Sequence, residues 1–262
     1  MNAARKALRM RLARWVRRRL PPRVCKRIGR IGRFFAPDET FPSIEASLRS
    51  LKARGFQPTF AVDVGAYHGQ WTEMFKDVYP SCSVLMIEAQ SKKAAILERV
   101  CQQYSGSVRY RNALLGAISG RGVPFFEMET GSSVFEERSP YAREQVMKTT
   151  STLDEVLRGE VQLVDFLKLD VQGYELEVLK GAQRTLMEAR CVLLETSIIP
   201  VNAGAPLIAE VLRYMDEQGY QLADFCSQMR MKDGVLFQTD LLFWRTDSGL
   251  IPEARLTPEN WV

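Results

Sequence analysis

The sequence of 262 residues lacks several features that define whole classes of protein. It has one histidine, and no two of its five cysteines stand close enough to form a CxxC pair, which argues against a zinc ribbon and a disulfide framework. No apolar run reaches the roughly 18 residues that span a bilayer. Charges also interrupt every early apolar run before a signal-peptide core can form. We therefore expect a globular protein of the reducing cytoplasm.

Acidic residues are missing from one end of the chain. Residues 1–33 hold 13 Lys or Arg and no Asp or Glu. The remainder holds 23 basic and 31 acidic residues, a net charge of −8. The overall charge of +5 therefore combines a basic arm with an acidic body, and the two parts are interpreted separately.

Within this basic arm, apolar residues recur every four positions from Ala4 to Leu20, and Arg occupies the other faces. Pro21 and Pro22 end this predicted helix, and a second short apolar stripe runs to Phe35. Basic amphipathic helices bind anionic membrane surfaces. The pattern predicts that residues 1–35 attach the protein peripherally to the inner face of the membrane. Packing on the body, nucleic-acid binding and a mitochondrial presequence with few hydroxyl residues are the alternatives.

Strands and helices alternate through the body of the chain, and two final strands are joined by Asp233-Gly234, a hairpin signal. We predict an α/β fold with a Rossmann-like, doubly wound, mostly parallel sheet and a C-terminal antiparallel hairpin. The strand at 123–128 is expected to pair with the strand before it. The predicted strands are 59–64, 83–88, 108–115, 123–128, 164–170, 191–197, 220–231 and 235–245. The predicted helices are 43–54, 70–79, 91–103, one that starts at 152, 174–189 and 206–218.

The first junction between a strand and a helix runs from Asp63 to Gly69 and has the pattern D-x-G-x-x-x-G. Ligands of open α/β sheets bind at the carboxyl ends of the strands. Gly65 permits a tight turn there, and Gly69 lets the next helix begin close to the ligand. The pattern lacks one glycine of the dinucleotide motif G-x-G-x-x-G, which suits a ligand without a pyrophosphate. Asp63 is placed to hold an ammonium group, directly or through water.

Glu88 ends the second predicted strand, 25 positions after Asp63. An acidic residue at this place can accept hydrogen bonds from both ribose hydroxyls of an adenosine. S-adenosylmethionine carries a positive sulfonium and an amino-acid head. Together, Asp63 and Glu88 favour this cofactor over one that bears phosphates. The alternatives are an ordinary glycine-containing turn and a surface glutamate.

The most distinctive string runs from Phe166 to Ala182 and reads FLKLDVQGYELEVLKGA. It resembles the FkbM-type methyltransferases. In that family a strand ends in the pattern K-[IL]-D-V-[EQ]-G, and a Glu-bearing helix with an L-K-G-A run follows it. The resemblance covers about residues 59–245. Further matching segments are DVGA and GQWT within 63–72, Glu88, RNALLG at 111–116, TLD at 152–154 and LE at 194–195. The chain departs from the pattern at Gln172, where Glu is commoner, and at Ala89-Gln90, where a Pro-containing turn is usual.

The resemblance implies an S-adenosylmethionine-dependent methyltransferase that O-methylates a hydroxyl of a sugar, glycolipid or natural product. It also implies that Asn112 and Ala113, at a strand end, line the adenine. Gly131, Ser132 and Ser133 resemble a loop that lines the donor or acceptor site, although a plain polar turn would fit as well. The predicted cofactor site comprises Asp63, Gly65, Ala66, Tyr67, Gly69, Glu88, Ala89, Asn112 and Ala113. Ser132, Ser133 and Lys168 form the predicted substrate site.

Methyl transfer from a sulfonium is an in-line displacement, so the protein mainly orients the reactants and excludes water. A sugar hydroxyl is a poor nucleophile and is helped by a base. Asp170 is the predicted base, and Lys168 on the same strand face would keep it ionised. Glu175 and His68 are further catalytic candidates. Favourable placement by the helix dipole is the alternative for Glu175, and a non-catalytic place in the loop is the alternative for His68.

We predict four segments: a basic arm (1–35), a helical lead-in (36–58), a methyltransferase domain (59–246) and a C-terminal tail (247–262). The predicted partners are a small-molecule or glycan acceptor and an anionic membrane surface. No metal is predicted, because no His or Cys stands near Asp170 or Glu195 in the sequence. A nucleic-acid methyltransferase guided by the arm is disfavoured by the acidic body and by the lack of a D/N-P-P-Y motif. A non-catalytic, membrane-associated cofactor-binding module is the other alternative.

Overall fold

A computed structural model describes residues 43–128, 131–136, 142–160 and 162–251. The predicted basic arm at residues 1–35 lies outside the described residues, as do residues 36–42 of the lead-in and 252–262 of the tail. The predicted domain boundaries therefore stay predictions. The strands are β1 (Phe60–Val64), β2 (Ser83–Glu88), β3 (Val108–Asn112), β4 (Leu114–Leu115), β5 (Gly122–Glu127), β6 (Glu144–Ser151), β7 (Phe166–Leu169), β8 (Cys191–Ser197), β9 (Tyr220–Phe225), β10 (Met229–Arg230) and β11 (Leu236–Arg245). The α-helices are α1 (Ile44–Ala53), α2 (Gln70–Val78), α3 (Ala94–Gln103), α4 (Leu153–Val156), α5 (Glu175–Lys180), α6 (Gln183–Glu188) and α7 (Ile208–Glu217), and a 3₁₀ turn spans Ser91–Lys93.

The large sheet has the strand order β10-β11-β8-β7-β1-β2-β3, and β9 also pairs with β11. Strands β3, β2, β1, β7 and β8 run parallel, whereas β11 is antiparallel to β8. The chain leaves β1 toward β3 and later crosses back to β7, so the strand order reverses between β1 and β7. Ligands of doubly wound sheets bind at such a reversal. The predicted α/β fold with a mostly parallel sheet is confirmed.

Alternate residues of the central strands feed two hydrophobic cores, one on each face of the sheet. Val62 and Leu167 lie in the core that includes α5, α6 and α7. Ala61 and Phe166 lie in the core that includes α1, α2 and α3. Every residue of β1, β7 and β8 is buried. Burial on both faces explains why these strands read as near-continuous apolar runs in the sequence.

The predicted C-terminal hairpin is present, but its first strand is interrupted. Strands β9 and β10 both pair antiparallel with β11, and a register shift lies in each pairing. The turn at Asp233-Gly234 forms as predicted, and the backbone N–H of Val235 donates to the Asp233 carboxylate over 3.1 Å. The two parts of the predicted strand 220–231 are therefore separate strands on one edge of β11.

The predicted pairing of segments 108–115 and 123–128 is wrong. Strand β3 instead extends the large sheet beside β2, and the chain leaves that strand after Asn112. Strand β5 pairs antiparallel with β6, and β4 joins them in a separate three-stranded sheet. Strand β6 was not predicted, because its residues are mostly polar and only Thr150 is fully buried. The reason for the error is that pairing follows burial in the folded chain, and nearness in sequence does not reveal it.

Candidate active site

A cleft of about 200 Å³ opens at the carboxyl ends of β1, β2 and β7, next to the reversal of strand order. Most of its lining is apolar, and the carboxyl groups of Glu88 and Asp170 are both at its surface. Of the predicted site residues, those that line this cleft are Gly65, Tyr67, Glu88, Ala89, Ala113, Ser132 and Asp170.

Gly65 follows β1 directly and brings two loops into backbone contact. Its φ angle is +73°, and a Cβ atom at this position would lie 1.8 Å from the carbonyl oxygen of Asp170. Backbone N–H groups of Gly65 and Ala66 donate to the carbonyl of Ile87 over 2.9 and 3.1 Å. The loop after β1 is thereby held against both neighbouring strands. Ala66 itself is buried and does not line the cleft.

Gly69 has a φ angle of +79° and precedes α2. A Cβ atom there would lie 3.0 Å from a methyl group of Val100 and 3.4 Å from the sulfur of Met86. These neighbours belong to α3 and β2. The requirement for glycine at position 69 therefore comes from packing of the loop onto these elements, and the prediction that it lets the helix begin close to the ligand stays a prediction.

His68 lies beside the cleft lining and does not form part of it. Its ring stacks on the ring of Tyr67 with 3.8 Å between the centroids. The Nε2 atom of His68 is 3.3 Å from the ammonium nitrogen of Lys93, which also lies over the Tyr67 ring. The imidazole thus packs against other side chains of the loop and of the neighbouring 3₁₀ turn. Its role as a catalytic base stays a prediction.

Glu88 reaches the cleft from the end of β2 and is held there by two backbone N–H groups. Its Oε2 atom accepts from the N–H of Tyr67 and its Oε1 atom accepts from the N–H of Gln90, each over 2.8 Å. Burial raises the pKa of the carboxyl group, and these hydrogen bonds oppose the rise. Each oxygen keeps lone pairs for a further donor. Glu88 can therefore accept the two hydroxyl hydrogens of a ribose.

Asn112 and Ala113 were predicted to line the adenine, and only Ala113 lines the cleft. The side-chain amide of Asn112 donates to the carbonyl of Glu88 over 2.7 Å and to the carbonyl of Ala89 over 3.3 Å. Asn112 thus ties the end of β3 to the loop after β2. Asn112 therefore shapes that loop, and its direct contact with the adenine stays a prediction.

Asp63 lies beneath the loop with no exposed surface. Its Oδ1 atom is 3.0 Å from the ammonium nitrogen of Lys168, and its Oδ2 atom accepts from the hydroxyl of Thr72 over 2.7 Å. The carboxylate therefore binds groups of the protein itself. A contact between Asp63 and an ammonium group of the ligand, directly or through water, stays a prediction.

Lys168 holds the same loop from below. Its ammonium group donates to the carbonyls of Val64 and Gly65 over 3.2 and 2.9 Å. Burial lowers the pKa of Lys168, but the neighbouring carboxylates of Asp63 and Asp170 outweigh burial and raise it. Lys168 is buried and does not line the cleft. Lys168 therefore anchors the loop, and its contact with the substrate stays a prediction.

Asp170 follows β7 and presents its carboxylate to the cleft, with 38% of the side chain exposed. Its Oδ1 atom accepts from the side-chain amide of Gln172 over 3.0 Å. Its Oδ2 atom is 3.8 Å from the ammonium nitrogen of Lys168. The predicted pairing of Lys168 with Asp170 is thus the longer of two contacts, because Asp63 lies nearer to the ammonium group.

Glu175 begins α5, but its side chain points into the protein. Its Oε1 atom accepts from the backbone N–H of Val171 over 2.9 Å and from that of Gly173 over 3.2 Å. Burial raises the pKa of Glu175 to about 7, although these hydrogen bonds act in the opposite direction. Glu175 does not line the cleft. Glu175 therefore holds the turn that follows Asp170, and its catalytic role stays a prediction.

The two predicted substrate serines differ in position. Ser132 lines the cleft, and its hydroxyl bonds both the N–H and the carbonyl of Met128 over 2.8 Å. Ser133 is buried, and its hydroxyl donates to the carbonyl of Gln172 over 2.8 Å. Ser133 therefore joins its loop to the turn after β7. Contacts of Ser132 and Ser133 with the substrate stay predictions.

Sequence reasoning missed three lining residues that matter to the shape of the cleft. Gln172 and Tyr174 follow β7 within the distinctive string, and their closeness to a strand end could have identified them. Phe125 lies on β5 and reaches the cleft through the small sheet. No local signal in the sequence indicated that contact, because it depends on where the small sheet packs.

Comparisons with known proteins agree with this architecture. The family model described as "Methyltransferase FkbM domain" matches residues 63–222. The structure of cofactor-bound Rv0187 from MTB is 14% identical, with a TM-score of 0.50, and the match covers 87% of this chain and 91% of that chain. A methyltransferase FkbM from Methylobacillus flagellatus KT is 16% identical, with a TM-score of 0.47 and coverage of 71% of this chain. This chain spans 44% of the length of that second protein. No curated protein matches the sequence.

Proposed function

The chain belongs to the FkbM methyltransferase family, and from that membership we propose that it methylates a hydroxyl of a sugar, glycolipid or natural product. Methyltransferases of this family and fold use S-adenosylmethionine. The observation that carries the proposal is the partly exposed carboxylate of Asp170 in a mainly apolar cleft. Glu88 lines the same cleft from β2, which is separated from β7 by β1 alone. A carboxylate so placed can take the proton of a hydroxyl as that hydroxyl is methylated.

The described residues of the cleft fit S-adenosylmethionine. Two carboxyl groups line it, and no Lys, Arg or His of the described chain does. Such a lining favours a positive sulfonium and disfavours a cofactor that carries phosphates. The backbone of the loop at Gly65 also comes within reach of a ligand with no side chain in between. When bound, the cofactor supplies a methyl group that is made electrophilic by the positive sulfur.

The residues of this chain then have separate tasks. Glu88 accepts hydrogen bonds from the ribose and so orients the donor. Asp170 accepts the proton of the attacking hydroxyl at Oδ2, since its Oδ1 atom already accepts from Gln172. Apolar side chains of the lining, among them Phe125 and Val134, exclude water from the reacting groups. Exclusion of water strengthens the attraction between the donor and the Asp170 carboxylate.

The substitution Asp170→Asn tests this assignment. We expect the variant to bind S-adenosylhomocysteine within a few-fold of the wild-type affinity, because the amide keeps the shape of the side chain. Methyl transfer should fall by roughly 10²- to 10⁴-fold, the usual contribution of a positioned base. Binding is measured by calorimetry. Transfer is measured by mass spectrometry on an acceptor found by comparing glycans and lipids of cells with and without the gene.

Asp247→Asn is the matched control for this experiment. Asp247 is exposed and follows β11, whose last residues pair with the first residues of β8. It therefore lies at the opposite end of the strands from the cleft, and its substitution should leave transfer unchanged. Full activity of Asp170→Asn would remove Asp170 as the proton acceptor.

We further propose that residues 1–35 hold the enzyme at an anionic membrane surface. Support comes from composition, because residues 1–33 carry 13 basic and no acidic residues. Within the described ranges, no helix is both long enough and apolar enough to cross a membrane. A basic residue close to an anionic surface contributes on the order of 1 kcal/mol, so a few contacts suffice for attachment.

Removal of residues 1–35 tests the attachment. Binding to vesicles that contain phosphatidylserine should fall at least tenfold in the shortened chain, as measured by co-sedimentation. Neutral phosphatidylcholine vesicles and high salt serve as controls, since both remove the electrostatic attraction. Equal binding of the full and the shortened chain to anionic vesicles would show that the arm is not the anchor.

A further inference from the structure

A second carboxyl group lies behind Asp170. It belongs to Glu195 on β8, the strand next to β7, and Glu195 is only 8% exposed. The side-chain nitrogen of Gln172 is 3.0 Å from Oδ1 of Asp170 and 2.7 Å from Oε2 of Glu195. An amide nitrogen carries two hydrogens, so Gln172 donates one to each carboxyl group. One amide therefore holds the two groups side by side.

The backbone fixes this amide in place. Gln172 has a φ angle of +54°, a strained conformation for a residue other than glycine. Its carbonyl accepts from the hydroxyl of Ser133 over 2.8 Å and from the side-chain amide of Asn202 over 2.7 Å. Glu175 binds the N–H groups of the residues on either side of Gln172. The turn is thus determined by several independent contacts, as strained functional positions require.

The charges around Glu195 do not balance if every carboxyl group is ionised. Asp170 faces it from the end of β7, Glu175 from α5 and Asp240 from β11, where it lies directly opposite in register. The cation beside these groups in the described structure is Lys168, whose ammonium group lies closer to Asp63 than to Asp170. Two neighbouring carboxylates that lack a cation of their own do not both ionise readily.

Burial decides which carboxyl group stays neutral. The side chain of Asp170 is 38% exposed in the cleft, whereas Glu195 is enclosed. Burial and the negative charges of Asp170, Glu175 and Asp240 raise the pKa of Glu195 well above its usual range. Solvent therefore stabilises the charge on Asp170, and the proton resides on Glu195.

We propose that Glu195 and Gln172 are positioning residues for Asp170: Glu195 holds a proton that it shares with Asp170, and Gln172 keeps the two carboxyl groups side by side. Asp170 thereby meets the acceptor as the ionised member of the pair. The inference rests on the proposed function, since the role of Asp170 as proton acceptor belongs to it.

Bonds, protons and charges all balance when this pair of carboxyl groups takes part in the methyl transfer. The bond between the acceptor oxygen and the methyl carbon forms as the carbon–sulfur bond breaks, and the electron pair of the broken bond stays on sulfur as a neutral thioether. The acceptor proton moves to Asp170, so the negative charge of the pair and the positive charge of the sulfonium disappear together. The pair then carries two protons, and one returns to solvent before the next turnover.

Carbon-13 NMR of the full chain with labelled Asp and Glu carboxyl groups tests the shared proton without any ligand. At neutral pH we expect the Glu195 carboxyl resonance at the position of a protonated acid, identified by its loss in Glu195→Gln. Glu175, with a pKa of about 7, gives a separate resonance that is only partly protonated and that remains in this variant. The introduced amide can donate to Asp170 and accept from Gln172, so the variant should fold. Glu98→Gln, on the exposed face of α3, should leave the Glu195 resonance in place.

Gln172→Met is the second variant, and it keeps the length of the side chain while removing the donor. The titration of Asp170 should shift to higher pH by at least one unit, because its ionised form loses a hydrogen bond. If Gln172 had a merely structural role, the Asp170 titration would not change. That result would overturn the proposal that the Gln172 amide holds the two carboxyl groups side by side. A Glu195 resonance that is ionised at neutral pH in the wild type would overturn the shared proton.

Ligand binding separates this inference from the proposed function. Calorimetry in two buffers of different ionisation heat counts the protons released on binding. We expect S-adenosylmethionine and S-adenosylhomocysteine to release equal numbers of protons, because the pair keeps its single proton when the cofactor binds. Failure of either ligand to bind would reject the proposed function and leave the NMR result standing, whereas a greater proton release on binding S-adenosylmethionine would reject the shared proton alone.

Discussion

Gly65→Ala is expected to destabilise the protein by about 2–5 kcal/mol and to abolish binding of S-adenosylhomocysteine. The new Cβ atom would lie 1.8 Å from the carbonyl oxygen of Asp170 and 2.9 Å from its carbonyl carbon. Both are backbone atoms and have no rotamer by which to move aside. Overpacking costs about 1–3 kcal/mol, and the φ angle of +73° adds roughly 1–2 kcal/mol for a residue with a side chain.

The loss of binding follows from the same contact. The N–H of Asp170 donates to the carbonyl of Val64 over 3.1 Å, and Lys168 donates to the carbonyl of Gly65 over 2.9 Å. Pushing the two loops apart would break these bonds and displace both Asp170 and the backbone that faces the ligand. The affinity is measured by calorimetry, and the free energy of unfolding by urea titration.

Gly120→Ala is the matched control for the glycine substitution. Gly120 has a φ angle of +79°, close to that of Gly65, but no atom lies within 4 Å of the position that a Cβ would take. Its substitution should cost about 1 kcal/mol and leave ligand binding unchanged. Equal losses of stability in the two variants would show that the conformation, and not the close approach to Asp170, sets the requirement for glycine.

The sequence was enough to predict that Gly65 and Glu88 lie together at the strand ends beside the cleft, because their places follow from the order of strands in the chain. Gly65 and Glu88 stand at the ends of strands, and a strand end in a parallel sheet lies where ligands bind. Neither prediction needs knowledge of contacts between distant segments. The alternation of apolar strands and helices likewise determines the doubly wound sheet, since each strand is buried on both faces.

Contacts that depend on strand register were predicted less well. Lys168 was paired with Asp170 because residues two apart share a strand face. In the sheet, Lys168 lies directly opposite Asp63 on β1, which brings the two charged groups closer together. The partners of Glu175 and Ser133 were missed for a related reason, because both bind backbone groups of a turn whose shape has no simple sequence signature.

Lys168→Met is expected to lower the free energy of unfolding by about 3–5 kcal/mol at neutral pH, because it leaves Asp63 as a buried charge without its partner. Asp63 has no exposed surface, and the hydroxyl of Thr72 would remain as a side-chain donor to it. The carbonyls of Val64 and Gly65 would also lose their bonds to the ammonium group. Urea titration at neutral pH measures the loss of stability.

The double variant Asp63→Asn with Lys168→Met decides whether the unpaired charge causes the loss. Removing both charges leaves no buried ion without a partner, so the loss of stability should be clearly smaller than that of Lys168→Met alone. Lys180→Met, which removes an exposed ion pair with Glu177, should change stability by no more than about 0.5 kcal/mol. A double variant as unstable as the sum of its two single variants would instead assign the loss to the carbonyls of the loop, since those bonds depend on Lys168 and not on Asp63. Either result identifies the group that holds the cofactor loop at the end of β1.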